Sequence, residues 1–269
     1  MNIFFKCASI ALIIALMVPA SNSLADDEKA RAIMERVDAR DDGDNQTSDM
    51  MMTLIDKNGD KRIRKLAVFS KDKKADTLRL MFFVYPADVK DTAFLTYDYD
   101  DPEKDDDQWL YLPALKKTKR IAATDKSDSF MGSDLNYSDM TSRDLEDYDF
   151  FLKQEIQVRG KDAWVIESVP RSERVIDETG YEKSLLIVQK DIDFVVRAVN
   201  WEKTGGYIKY MDVVGLEKID GIWVGTEMHV ARKKGSQTVH KTILKFENVR
   251  FNQDLEEDIF SVRRMEKGL

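Results

Sequence analysis

His229 and His240 are the only histidines in the chain. With Lys234-Gly235 read as a two-residue turn, they face each other directly across a hairpin. Such a pair is half of a zinc site, but no third ligand stands at a diagnostic spacing, so no metal site is expected. Carboxylates are more abundant. The run Asp98–Asp107, DYDDPEKDDD, resembles a cation-binding loop until its spacing is checked. An EF-hand needs Gly at its sixth position and Glu at its twelfth, and counting from Asp98 those places hold Glu103 and Trp109. It is read as a solvated surface loop. There is no Gly-x-Ser-x-Gly elbow and no phosphate-cradling loop. A hydrolase built from dispersed Asp and Ser is the enzymatic alternative. No residue is assigned a catalytic role, no cofactor is expected, and the chain is read as not an enzyme.

The chemistry that remains is apolar. Leu78, Leu80, Phe82 and Val84 alternate with Met81, Phe83 and Tyr85, and Trp109 and Tyr111 alternate with Leu110 and Leu112. Both faces of such strands must be covered, by helices and a second sheet or by a bound apolar ligand. Twelve methionines, including Met50-Met51-Met52, add unbranched surface able to repack around variable hydrocarbon or to fill an ordinary core.

These residues sit in a chain whose period is that of strands from Thr47 onward. Asn58-Gly59 marks a tight hairpin between Asp49–Asp56 and Arg62–Ser70. Further strands are expected at Leu78–Tyr85, Ala93–Tyr99, Gln108–Leu112, Lys116–Ile121, Phe151–Val158, Ala163–Val169, Ser184–Gln189, Val195–Glu202, Tyr207–Leu216, Ile222–Arg232 and Thr238–Arg250. Short turns at Gly205-Gly206, Asp220-Gly221 and Lys234-Gly235 imply an antiparallel meander. Ahead of it, Ala30, Ile33, Met34 and Val37 form one helical stripe. Asp26, Asp27 and Glu28 complement the positive end of that helix, and Asp41-Asp42-Gly43-Asp44 stops it.

Lys6 precedes an apolar run from Cys7 to Val18, and Ser23-Leu24-Ala25 supplies small residues, so Met1–Ala25 reads as a cleaved signal peptide. Val18-Pro19-Ala20 is an earlier candidate cleavage point. The run falls short of the roughly 20 apolar residues of a spanning helix. Residues 26–269 would then be one domain of 244 residues without cysteine, a length that a single all-β core accommodates. Losing Lys6 moves the formal charge from −8 to −9, an acidic balance that argues against nucleic acid as the main partner.

Within Asp107–Asp139 a Trp109-Leu110-Tyr111-Leu112-Pro113 strand, a basic strand ending in Arg120-Ile121 and a Phe130-Met131-Gly132-Ser133-Asp134 turn follow in order. Pro86-Ala87-Asp88 through Thr92-Ala93-Phe94-Leu95 precedes them. Asp220-Gly221-Ile222-Trp223-Val224, the Gly235–Thr238 turn and Asp258-Ile259-Phe260 come later. This order resembles the LolA-like family of outer-membrane lipoprotein-sorting proteins over nearly the whole mature chain. Asp91 departs from it, standing where Gly is expected.

The resemblance implies a mainly β fold of the LolA/LppX kind: a strongly curved antiparallel sheet, close to a half-barrel, with helices covering its concave apolar side. It implies a periplasmic carrier, monomeric, that binds lipid or lipoprotein acyl chains and moves them toward the outer membrane with an RND-type inner-membrane exporter. The alternative is an accessory or scaffold subunit of such an exporter that carries no cargo. The candidates to line the cavity are Met50, Met52, Leu80, Phe82, Phe94, Trp109, Tyr111, Phe130, Tyr137 and Met140, with Phe130–Met140 as lid or rim. Lys116, Lys117, Lys119 and Arg120 are the candidate partner-binding residues.

Overall fold

The computed structural model describes residues 26–269, so the expected signal peptide Met1–Ala25 lies outside the described residues. Helix α1 (Glu28–Asp38) starts where Asp27 accepts the N–H groups of Lys29 (2.9 Å) and Ala30 (3.3 Å). Those backbone bonds, Ala30 first, hold the Asp27 carboxyl below its ordinary pKa. Ala30, Ile33 and Met34 are buried, as the apolar stripe requires.

Six strands follow: β1 (Asn45–Asp56), β2 (Lys61–Lys73), β3 (Asp76–Tyr85), β4 (Ala93–Asp98), β5 (Asp107–Leu112) and β6 (Lys117–Arg120). After an irregular segment come β7 (Tyr148–Val158), β8 (Lys161–Pro170), α2 (Glu173–Thr179) and β9 (Tyr181–Gln189). The chain ends with β10 (Phe194–Glu202), β11 (Tyr207–Ile219), β12 (Ile222–Lys234), β13 (Gln237–Phe251) and α3 (Val262–Lys267). Their order in one thirteen-stranded sheet is β6-β5-β4-β3-β2-β1-β13-β12-β11-β10-β9-β8-β7. Neighbours are antiparallel throughout, so two meanders meet where β1 pairs with β13, Met52 opposite Leu244. The sheet is mainly-β, curved and unclosed, with β6 and β7 as its edges.

Side-chain alternation sorts the core. One face carries Met50, Met52, Leu66, Val68, Met81, Phe83, Phe94, Leu110, Val230 and Leu244, continued by Phe150, Ile166, Leu186 and Val188 under α1. The opposite face of β3–β5 carries Leu78, Leu80, Phe82, Ala93 and Leu95, covered by Phe260 and by Met265 of α3. The doubly apolar strands are therefore covered on both sides, by different elements.

Two local expectations change, and one departure is explained. At the first hairpin Asn58 and Gly59 do not both take positive φ: only Gly59, at φ 89°, is in the left-handed region, and Asp56 accepts the N–H groups of Asn58 (2.8 Å) and Asp60 (3.0 Å). His229 does not face His240. The turn falls one residue later, with Lys234 opposite Gln237, and a bulge after Arg232 sets His240 against Arg232 and His229 against Ile243. Asp91 does hold a left-handed φ of 65°, the conformation that explains why glycine is natural there.

Candidate ligand-binding cavity

Residues 121–147 join the two sheet edges without adding a strand, and they cross the face that carries Met52 and Phe83. The crossing segment touches both halves of the sheet, which requires that face to be concave. On the β1–β6 side, Gln108 Nε2 donates to the Tyr137 carbonyl at 2.9 Å, and Asp98 accepts from Ser142 N (2.8 Å) and Oγ (2.9 Å). On the other side, Asp134 N donates to Thr242 Oγ1 at 2.9 Å, and Asp134 Oδ2 lies 2.7 Å from Nδ1 of His240.

At its centre Phe130, fully buried, packs 5.0 Å from Phe94, 5.7 Å from Tyr137 and 6.2 Å from Phe83 between ring centroids. Beyond it lies a buried polar cluster. Lys209 Nζ of β11 donates to Tyr181 Oη (2.6 Å) and Asn136 Oδ1 (2.9 Å), and stands 3.4 Å from Asp139 Oδ2. The Tyr181 hydroxyl donates to Asp139 at 2.9 Å, and burial first, then Asp139, pushes its pKa well up. Arg143 reaches Ser184 Oγ (3.1 Å) and Asn200 Oδ1 (3.2 Å) alongside.

Between this segment, α1 and the sheet lies a cavity of about 570 Å³. Six methionines line it, Met50, Met52, Met81, Met140, Met211 and Met228, together with Val68, Phe130, Leu135, Leu244 and Phe246. Its size falls within the roughly 300–1,000 Å³ of small-molecule sites, and its walls offer hydrocarbon and thioether surface with few donors. Arg40, Gln46, Ser70, Arg79, Asp139 and Arg197 supply the polar fringe. Arg40 lies 4.8 Å over the Phe194 ring and donates to the Trp223 carbonyl at 2.9 Å, and desolvation lowers its pKa. Arg79 donates to the carbonyl of Met140. Such a chamber can accept an apolar chain by exclusion of water.

Of the ten candidate residues, Met50, Met52, Phe130 and Met140 line the cavity. Phe94 and Tyr137 stand behind Phe130 in the same core. Leu80, Phe82, Trp109 and Tyr111 do not belong there. They share the opposite face beneath Phe260 and α3, because strand alternation turns them away from Met81 and Leu110. The basic residues are exposed on the β5–β6 edge. Lys119 pairs with Asp125 at 2.8 Å and Arg120 with Asp107, leaving Lys116 and Lys117 outside any ion pair among the described residues.

The acidic run is not all solvated surface. Asp98 and Asp106 are turned inward, and burial, first in each case, raises their pKa values. Sequence reasoning missed Met81, Met211 and Met228, and it missed Lys209. The last had a signal: it occupies the inward series with Met211 and Val213, where an unpaired cation would not be stable.

The family model that matches, over residues 75–267, carries the description "-like: Uncharacterized protein". A DUF1329 family protein from Desulfovibrio piger is 30% identical, with 90% of this chain and 99% of that one covered and a TM-score of 0.81. A protein domain from Vibrio parahaemolyticus described as outer membrane lipoprotein-sorting is 29% identical, covering 89% and 99%, with a TM-score of 0.80. A LolA superfamily protein from Nitrosomonas europaea shares the fold at 18% identity and a TM-score of 0.66, covering 87% and 98%. No curated protein matches.

Proposed function

We propose that this chain, which belongs to the DUF1329 family and has a LolA-like fold, is a periplasmic carrier of lipid or lipoprotein acyl chains, loaded by an inner-membrane exporter of the RND type and discharged toward the outer membrane. The observation that carries this reading is the methionine-lined cavity between the concave sheet and the crossing segment. Each methylene buried there contributes about 0.8 kcal/mol, so an acyl chain binds without any directional contact, and binding tolerates variation in the chain. The described residues form one sheet with one such chamber at its centre, consistent with a single carrier domain over residues 26–269.

The similarity to the Vibrio parahaemolyticus domain supports the sorting role, and the chemistry of the walls supports cargo in place of catalysis. Native mass spectrometry of protein purified from its own periplasm, followed by lipid extraction, tests the reading. A co-purifying lipid that a Met52→Glu variant loses is the expected result. Protein that is cargo-free and fails to take up a fluorescent fatty acid would count against it and leave the scaffold alternative.

A further inference from the structure

Three connections emerge at one end of the β1–β6 half: residues 57–60, 86–92 and 113–116. Four of the six large apolar side chains that stand most exposed among the described residues are at this end. They are Leu115 (62% exposed), Tyr85 (52%), Ile63 (43%) and Val84 (39%). Exposed cations surround them: Lys57, Lys61, Arg62 and Lys65 on the first hairpin, Lys90 in the second connection, Lys116 and Lys117 in the third. Counting residues 57–65, 84–92 and 113–117, eight basic residues meet three acidic ones, on a chain whose net charge is −8. None of those seven exposed cations has a carboxylate within 4.0 Å among the described residues, whereas Lys119 and Arg120 on the adjoining edge are paired with Asp125 and Asp107.

We propose that this end is a docking surface for an anionic lipid bilayer, with Leu115, Tyr85 and Ile63 entering the headgroup region and the unpaired lysines and arginine holding the lipid phosphates. Charge complementarity selects an anionic partner, and unpaired cations around protruding apolar tips are the arrangement of interfacial anchors. An acidic protein is the weaker match. Lysine is depleted in protein interfaces, and the apolar residues here project from separate connections in place of lining a groove. Docking goes beyond cargo binding and needs no cargo: it would hold a carrier at the membrane where its load is exchanged.

Flotation with vesicles tests this on the full protein. Vesicles of 30% phosphatidylglycerol in phosphatidylcholine should carry the protein up at low salt, with at least a tenfold weaker association with pure phosphatidylcholine or at high salt. The pair Tyr85→Ser and Leu115→Ser, and separately Lys116→Glu with Lys117→Glu, should each reduce binding at least fivefold, while Lys218→Glu, exposed at the opposite end, changes nothing. Circular dichroism verifies that the variants are folded. Absence of binding to anionic vesicles, or binding that persists in both folded variants, overturns the proposal; so does binding to an acidic protein that competes for the same residues while vesicles are ignored. Fatty-acid uptake, measured without vesicles, separates failure here from failure of the carrier reading.

Discussion

Lys209→Met removes the ammonium that ties the crossing segment to β11. Lys209 and Asp139 side chains are 2% and 7% exposed, so the pair lies out of solvent. After the substitution, the Asp139 carboxylate keeps the Tyr181 hydroxyl and the Asn136 N–H, at 2.9 and 2.8 Å, but no cation. Stranding one partner of a buried pair costs about 3–5 kcal/mol. The double variant Lys209→Met, Asp139→Asn no longer buries an uncompensated charge and should recover roughly 2 kcal/mol, within the range of coupling energies for residues in one network. Urea unfolding reads both values from the midpoint if the slope stays constant. The difference should persist at high salt, because a buried pair is poorly screened. A cost of about 1 kcal/mol or less for Lys209→Met alone, or additive effects in the double variant, would refute the idea that this cluster pins the segment, leaving the Phe130 aromatic packing as its anchor.

Met52→Glu places a charge in the cavity wall and should weaken fluorescent fatty-acid binding at least tenfold. By contrast Phe82→Ala, beneath α3 on the opposite face, should cost about 3–5 kcal/mol in urea unfolding while leaving affinity unchanged in protein that remains folded. Asp106→Asn keeps an acceptor for the Tyr99 N–H and removes a carboxyl whose pKa burial raises. A raised folded pKa gives stability that is present below the ordinary carboxylate value of about 4 and is lost as pH rises through the folded value, so the variant should melt higher than wild type at pH 7 and lose that advantage toward pH 4. Cysteines at Asp134 and Thr242, whose N and Oγ1 atoms are 2.9 Å apart, should slow lipid exchange at least tenfold when oxidised if the crossing segment opens to load. Equal rates in the oxidised and reduced protein would show that it is not a gate.

The thirteen strands were legible because turn residues and β-rich runs announce themselves locally, and every expected strand exists with ends moved by a few residues. The helices α2 and α3 were not, since six or seven residues give too little periodicity to stand out. Which face lines the cavity was hidden for a different reason. In β3, Leu80 and Phe82 are as apolar as Met81 and Phe83, and only the long-range arrival of Phe260 and Met265 on one side and of Phe130 on the other decides between them. The histidine pair failed on register: the turn falls one residue later than Lys234-Gly235 and a bulge after Arg232 adds a further residue, so His229 meets Ile243 and His240 meets Arg232. Phe130 and Met140 could be picked from sequence because the Phe130–Asp134 turn belongs to the run that resembles the LolA-like family, and an apolar segment leaving a sheet edge is stable only against an apolar face. The same logic, applied to Lys209, would have demanded a buried acceptor from a distant segment, and Asp139 is where the chain provides it.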